Sequence, residues 1–381
     1  MKNYDWIVIG AGITGSALAY ELSSKNFSVL LLEKDSIPHN ATFYSYGGLA
    51  YWSGTNDLTR QLAKEGIELH RHLAEELAGD TEFRELDLLL TIAKTDDPHQ
   101  IEQNYNRFAI APQLLDVQEA CELEPLLNPN AISGALRLPH AHIHPQKTTQ
   151  AYQAALIRNG GVMAYESVID LIRQGDRIQG VITKQNTYHS AHTVVCAGGL
   201  TRSLLQEMGI PTKTYFTHAL LLKTPPVDLE LKTIVMPAVQ QRFALEGMAS
   251  EKIANSTWNK PESLVIHSIL DPGVVQFRDR SLCLGQISAI ATAPETSFNL
   301  ELAESQIRQQ LAAILPKISE VPGTCHHCLV AFSGSSIANV GAVESLNGLY
   351  LFTGFTSPLV FAPAIARRFA SNDEVRESPL I

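Results

Sequence analysis

Residues 5–35, DWIVIGAGITGSALAYELSSKNFSVLLLEKD, decide the fold of this chain. An apolar run leads into a glycine-rich turn, a helix-forming segment follows, and a second apolar run ends in Glu33. Gly10, Gly12 and Gly15 fit the spacing G-x-G-x-x-G, which permits a tight turn, close approach of a diphosphate and close packing of helix on strand. The stretch therefore predicts a β-α-β unit that binds a dinucleotide, with Glu33 accepting the hydroxyl groups of a ribose.

Composition narrows the class of protein. The chain has 381 residues, of which 45% are hydrophobic and 18% charged, as expected for a packed, soluble protein of two domains. The formal charge of −10 argues against nucleic acid and against an anionic membrane surface as partners. Five cysteines form an odd, sparse set that favours a reducing cytoplasm over a disulfide framework. We expect no transmembrane segment, because no apolar stretch approaches about 20 residues.

Elements of dinucleotide-binding type recur along the chain. Apolar spacing predicts helices over residues 57–78, 116–122, 148–159 and 299–315. Short β segments are predicted over residues 162–172, 177–183 and 192–197. The middle, about residues 211–291, is rich in β-like runs, and the end from Gly348 predicts strand, turn and helix. This order predicts two domains that interleave along the chain.

The glycine motif alone leaves FAD and NAD open, and three further stretches separate them. Residues 40–50, NATFYSYGGLA, follow the pattern A-T-x-x-x-x-G-x-L. Residues 142–171 contain a Pro-led helix and a glycine turn, and residues 193–205 contain a strand that ends in Ala-Gly. The chain closes with GLYLFTGF and FAPAIA. These stretches resemble the flavin-contacting segments of the D-amino acid oxidase superfamily, and the chain is most similar to its glycine oxidase and sarcosine oxidase branch.

The resemblance implies an FAD-dependent oxidoreductase with non-covalent FAD. It implies an α/β fold in which a Rossmann-type FAD-binding domain interleaves with a β-rich substrate domain built on a mixed sheet with helices. The predicted FAD-binding domain comprises residues 1–80, 146–210 and 330–381, and the substrate domain residues 81–145 and 211–329. Cofactor contacts are expected at Gly10, Gly12, Ile13, Thr14, Gly15, Glu33, Lys34, Ala41, Thr42, Gly47, Gly48, Val168, Ala197, Gly198, Gly354, Phe355, Thr356, Ser357 and Leu359.

In this superfamily a hydride passes from a carbon bearing an amine to flavin N5, the imine hydrolyses, and oxygen accepts the electrons. The chain is thus expected to oxidise an amine or amino acid, a small-molecule substrate, with oxygen or another electron acceptor. Two alternatives stay open: a flavin dehydrogenase of a 2-hydroxy acid or polyol, and a non-catalytic flavoprotein subunit. An oligomer is compatible with the sequence.

The expected substrate-binding arginine is missing. Amino acid oxidases of the family grip the substrate carboxylate with an arginine in W-x-G-x-R-P, where residues 332–341 here are FSGSSIANVG and Ser336 takes the arginine position. In the closing turn Phe355 replaces a usual histidine. We therefore predict that the standard carboxylate grip is lost and that any replacement is another cation, from the set Arg278, Arg280, Arg242, Arg137 and Arg60.

Arg278 aligns best with a substrate-domain strand, although a solvated edge arginine is the favoured alternative. Tyr46 and Tyr51 are candidates to line the pocket, with a core or surface role equally open.

Two histidine-rich stretches are expected to be structural. CHHC at residues 325–328 offers four adjacent ligands that cannot readily surround one ion, and no second C-x-x-C exists. In HAHIHP, His140, His142 and His144 share one face if extended, as metal ligands, a pocket wall or a structural edge. The structural role is favoured, and we predict no metal site.

Overall fold

The computed structural model describes residues 3–260, 265–334, 337–372 and 376. Seventeen strands lie within these ranges, namely β1 (Asn3–Ile9), β2 (Val29–Glu33), β3 (Gly48–Leu49), β4 (Arg84–Ala93), β5 (Gln113–Leu115), β6 (Ile132–His142), β7 (Val162–Tyr165), β8 (Val168–Gln174), β9 (Arg177–Thr183), β10 (Thr187–Val195), β11 (Tyr215–Lys223), β12 (Ile234–Pro237), β13 (Val265–Gln276), β14 (Leu282–Ala291), β15 (Thr324–Phe332), β16 (Asn339–Ala342) and β17 (Leu349–Thr353).

Ten α-helices lie within the same ranges, namely α1 (Ile13–Ser24), α2 (Asp57–Glu76), α3 (Pro98–Asn104), α4 (Val117–Leu123), α5 (Pro145–Arg158), α6 (Thr201–Glu207), α7 (Arg242–Lys252), α8 (Leu300–Ile314), α9 (Pro316–Ser319) and α10 (Pro358–Ser371).

The first sheet is the nucleotide-binding one. Its strands run in the order β16-β17-β10-β1-β2-β7, with the β8–β9 hairpin attached to β10. The four neighbours β17, β10, β1 and β2 are parallel, and Ile9, Val195 and Leu351 lie at equivalent heights. Strand β1 is buried on both faces, which explains its continuous apolar run. The loops that follow these strands therefore meet at one edge, where ligands bind in open parallel sheets.

The second sheet is mixed and has nine strands, with the main order β15-β11-β14-β13-β12-β4-β6-β3. Most neighbours are antiparallel, and β4 and β12 pair in parallel. One face packs beneath α8, where Ile307 and Leu311 are fully buried. The opposite face, which carries Ala219, Leu221, Cys283 and Cys328, packs against residues 41–52 and is called the site face below.

The two sheets take their strands from alternating parts of the chain. The first sheet takes strands from the start, the middle and the end of the chain, and the second takes those between. One short strand differs: β3 lies in the predicted FAD-binding segment 1–80 but pairs with β6 of the second sheet. The exact domain limits stay a prediction.

Most predicted elements are present, and one further helix was not predicted. The helices predicted over 57–78, 148–159 and 299–315 correspond to α2, α5 and α8. The middle of the chain, predicted to be rich in β-like runs, also contains α7. The helix was missed although Leu245, Met248 and Ala249 have helical spacing and Arg242 stands four residues before Glu246.

Within the described residues, no helix is both long and apolar enough to span a bilayer.

Candidate functional site

The glycine turn has the geometry that a diphosphate needs. Gly10 has a φ of +104°, and a Cβ there would lie 2.6 Å from the carbonyl oxygen of Cys196. A Cβ on Gly15 would overlap the carbonyl oxygen of Gly10. Helix α1 starts directly after Gly12, which has no side chain to cap it, and among the described residues no acid occupies its first turn. The helix therefore presents a positive dipole end to an anion.

Glu33 and Thr42 fix the two sides of this turn. The Glu33 carboxylate accepts from the amide of Ala11 at 2.9 Å and from the amide of Lys34 at 2.9 Å. The Thr42 hydroxyl accepts from the amide of Ile13 at 3.1 Å. The end of β2 and the segment after it are thereby tied to the first turn of α1.

The remaining predicted contacts of the nucleotide half surround the same edge. Ala197 follows β10 and its Cα lies beside Gly10, while Gly198 has a φ of +54° and free space where a Cβ would be. Val168 begins β8 and packs with Ile9 and Leu32. The predicted positions Thr14 and Ala41 are half-buried. These residues form a cradle at the carboxyl ends of β1, β2 and β10.

Gly47 and Gly48 lie against the end of β6. A Cβ on Gly47 would lie 2.9 Å from Nε2 of His142, and a Cβ on Gly48 would lie 2.8 Å from Nε2 of His140. The two histidines are buried, and burial lowers the pKa of each to about 3. Neutral imidazoles therefore form the wall behind this glycine pair.

Hydrogen bonds set the ring orientations in that wall. The indole nitrogen of Trp52 donates to Nδ1 of His140 at 3.1 Å, and Nε2 of His142 lies 3.0 Å from the carbonyl oxygen of Tyr46. The carbonyl can only accept, so His142 carries its proton on Nε2. His140 and His142 thus support the loop that contains Gly47 and Gly48, called the glycine loop below, which fits the structural role predicted for HAHIHP.

The closing turn completes the cradle. Gly354 has a φ of +69°, and a Cβ there would lie 3.1 Å from Cβ of Ser333. Phe355 is buried and its ring centroid lies 4.9 Å from that of Phe352. The amide of Thr356 donates to the carbonyl of Ile337 at 2.9 Å. This turn therefore connects the end of the first sheet to the segment that leaves β15.

Helix α10 begins at the same turn. Within the described residues, no side chain caps it at Ser357, so its first turn can face an acceptor group. Leu359, another predicted contact, is buried in that turn.

His70 supports the first turn of α10. Its Nε2 lies 2.7 Å from the carbonyl oxygen of Leu359, and burial lowers its pKa to about 4. In an α-helix that carbonyl accepts from the amide four residues later, which here is Pro363, a residue without an N–H. The histidine of α2 thus supplies the donor that proline removes.

The predicted pocket residues separate in space. The Tyr46 ring packs on the site face, and its hydroxyl is buried without a partner among the described residues. Tyr51 packs instead against the cluster of α1, α2 and α10. Arg278 is exposed on the turn after β13 and donates to the carbonyl of Phe83 at 2.8 Å. Ser336 lies outside the described residues.

The CHHC stretch does not converge on one point. It lies in β15, where successive side chains point to opposite faces, and Cys328 pairs with Ala219 on the site face. His326 stacks on Tyr44 at 4.7 Å, whereas His327 contacts His218 on the other side at 2.8 Å between ring nitrogens. In the described part of the chain, no group of three or more His, Cys, Asp or Glu side chains could hold a metal.

The residues present fit FAD. The turn at Gly10 suits a diphosphate, the acid predicted to bind the ribose, Glu33, lies beside that turn, and the loop from Thr42 to Gly48 leads from the turn to the site face. A flavin ring would then lie between the glycine loop and the closing turn at Gly354.

Comparisons with known proteins agree with this geometry. A family model described as "DAO: FAD dependent oxidoreductase" matches residues 5–372. 4-Methylaminobutanoate oxidase (formaldehyde-forming) of Paenarthrobacter nicotinovorans is 24% identical over 383 residues, which cover 96% of this chain and 43% of that protein. Peroxisomal sarcosine oxidase of Homo sapiens is 28% identical over 210 residues, covering 54% of this chain and 53% of that protein. The chain spans about half the length of these curated relatives.

Among solved structures, glycine oxidase from Bacillus cereus ATCC 14579 superposes with a TM-score of 0.78 at 19% identity, covering 99% of this chain and 98% of that one. The predicted fold class is confirmed by this likeness.

Proposed function

We propose that this chain, which belongs to the DAO family of FAD-dependent oxidoreductases, oxidises the carbon–nitrogen bond of an amine or amino acid. The predicted superfamily and the predicted FAD cofactor are confirmed by the family match. The observation that carries the proposed reaction is the similarity, along 96% of the chain, to an oxidase of a methylated amine. Sarcosine, the substrate in the name of a second relative, is also a methylated amine.

Bound FAD supplies a hydride acceptor at flavin N5. The chain's own residues have three tasks. The turn at Gly10 and the start of α1 hold the diphosphate, and Glu33 holds the ribose. Gly47, Gly48 and the start of α10 hold the flavin end in place.

The site face excludes water and orients the amine. Cys283 and Ala219 are buried there, so the carbon that loses hydride is held in an apolar space. The resulting imine is hydrolysed by water to a carbonyl compound and a free amine. No strong base is needed, because the amine need only be neutral when its carbon gives up hydride. We take oxygen or another small molecule as the electron acceptor and the cytoplasm as the setting, which the five free cysteines favour.

The test is anaerobic absorbance of the purified yellow protein, mixed with N-methyl amino acids, amino acids, neutral amines, 2-hydroxy acids and glycerol phosphate. We expect amines to bleach the flavin band and hydroxy compounds to leave it unchanged. Bleaching by hydroxy compounds alone would overturn the proposal in favour of a hydroxy-acid or polyol dehydrogenase. A flavin that dithionite reduces but no amine reduces would overturn it in favour of a non-catalytic subunit. Peroxide measured after admission of air identifies oxygen as the acceptor.

A further inference from the structure

Helix α7 carries an arginine to the site face. The helix is anchored at its start, where the Asp271 carboxylate accepts from the amides of Gln241 at 3.1 Å and Arg242 at 3.3 Å. One turn later Glu246, which is 7% exposed, accepts from the buried Thr217 hydroxyl at 2.7 Å. Thr217 lies two residues before Ala219 on β11, so both side chains point to the site face. The first turn of α7 therefore lies beside that face.

The Arg242 guanidinium is held through its Nε, whereas its two terminal nitrogens have no acceptor among the described residues. Its Nε donates to Glu246 at 2.8 Å, and this ion pair is half-buried. Its two terminal nitrogens donate to no group in the described part of the chain. A guanidinium has five donors in a planar fork, and the outer edge here is available for a bidentate bond to a carboxylate.

The Tyr46 side chain also packs on the site face. Its hydroxyl is buried and has no hydrogen-bond partner among the described residues, which is costly unless a ligand supplies one. Burial raises the pKa of Tyr46 well above its usual range; Cys283 and Asp271 add to that rise, and Arg242 opposes it. The same arginine lowers the pKa of the Cys328 thiol, which burial raises. Tyr46 and Cys328 both belong to the site-face cluster, and both are within electrostatic reach of Arg242.

The other candidate cations are engaged elsewhere. All four lie at the protein surface with exposed side chains. Arg280 and Arg137 pair with the carboxylates of Asp228 and Asp87. Arg278 donates to the carbonyl of Phe83, and Arg60 contacts Asp57 and the carbonyl of Arg107. Lys223 does approach the glycine loop, but its ammonium donates to the Phe43 carbonyl at 3.1 Å.

We propose that the outer nitrogens of Arg242 and the hydroxyl of Tyr46 bind a carboxylate of the substrate. This inference rests on the proposed amine oxidation and narrows its substrates to amines that carry a carboxylate. The grip that Ser336 cannot provide then comes from a different element of the fold, the helix between β12 and β13. Arg242, rather than Arg278, is the replacement cation.

The binding test uses the FAD-loaded protein and unreactive carboxylates. Acetate, butanoate and benzoate are titrated while the flavin absorbance is followed, and propanol and butylamine serve as controls without the carboxylate. We expect Arg242→Met to raise the Kd of the carboxylates roughly 10- to 100-fold, the loss typical of a charged hydrogen-bonded pair. Arg242→Lys retains part of the binding, Tyr46→Phe loses several-fold, and Arg137→Met binds like the wild type.

The double variant Arg242→Met/Glu246→Gln removes the unpaired acid that the single variant leaves, so a folding defect is separated from a binding defect. Carboxylate Kd values unchanged in both Arg242→Met proteins would overturn the proposal, as would a wild type that binds no carboxylate. An effect of Arg278→Met instead would assign the grip to that residue.

A kinetic comparison separates this inference from the proposed function. 4-Methylaminobutanoate and N-methylbutylamine differ only by a carboxylate in place of a methyl group. We expect Arg242→Met to raise KM for the former and to leave turnover of the latter unchanged. If amines reduce the flavin without any dependence on Arg242, the carboxylate site is refuted and the amine oxidation stands. If carboxylates bind through Arg242 but no amine reduces the flavin, the amine oxidation is refuted and the site stands.

Discussion

Replacing His70 tests whether it satisfies the carbonyl that Pro363 leaves without a partner. The bond is 2.7 Å long and His70 is only 1% exposed, so water cannot replace the histidine. His70→Phe keeps a ring of similar size but removes the donor. An unpaired buried carbonyl costs about 1–3 kcal/mol, and we expect the free energy of unfolding to fall by that amount.

Pro363→Ala is the second substitution of a double-mutant cycle with His70→Phe. Alanine restores an amide four residues after Leu359, so the carbonyl gains an intrahelical partner. In that background His70→Phe should cost about 1–2 kcal/mol less than in the wild type, which is the coupling expected for a shared acceptor. His70→Gln retains a donor and is the matched control.

The assay is thermal unfolding of the four FAD-saturated proteins, followed by tryptophan fluorescence and by release of flavin fluorescence. A coupling of about 1–2 kcal/mol corresponds to a few degrees in the shift of Tm between backgrounds. An equal Tm loss from His70→Phe with proline or alanine at position 363 would refute the assignment, since the histidine would then act by packing alone.

Two further predictions concern Thr42 and the buried histidines His140 and His142. Thr42→Val removes the acceptor for the first amide of α1, so we expect the Kd for FAD to rise about 5- to 10-fold. Thr42→Ser keeps the hydroxyl and should bind FAD like the wild type. An unchanged Kd of Thr42→Val in FAD titration of the apoprotein would contradict this prediction. His140 and His142 have pKa values of about 3 when folded and near 6.5 when unfolded, so the unfolded chain binds more protons as pH falls below about 6.5. Stability is therefore complete above that pH and is lost toward pH 3, by up to about 1.4 kcal/mol per pH unit per histidine; Tm values equal at pH 7 and pH 5 would refute it.

The nucleotide half of the fold could be predicted because its signals are local. The spacing of Gly10, Gly12 and Gly15 and the acid at Glu33 occur within one β-α-β unit, where strand period and turn chemistry are visible in the sequence. The resemblance of the closing stretches added the far end of the site. Both fold class and cofactor were confirmed on that basis.

The substrate half could not be predicted to the same depth, because its contacts join distant segments. Alignment favoured Arg278, but whether an arginine is exposed depends on tertiary packing. The pairing of Arg242 with Glu246 and of Glu246 with Thr217 becomes visible only when α7 is placed on β11. Likewise, nothing in the sequence around His70 indicates that its partner lies 289 positions further along.

The parallel pairing of β1 with β10, and of β10 with β17, also constrains how the protein is made. Paired residues of these strands lie roughly 150 to 190 positions apart in sequence, so the first sheet has a high contact order. During synthesis, β1 and its glycine turn leave the ribosome long before β17 and α10, which flank the closing turn of the cofactor site. We therefore expect FAD to be captured late, after the turn between β17 and α10 has been made.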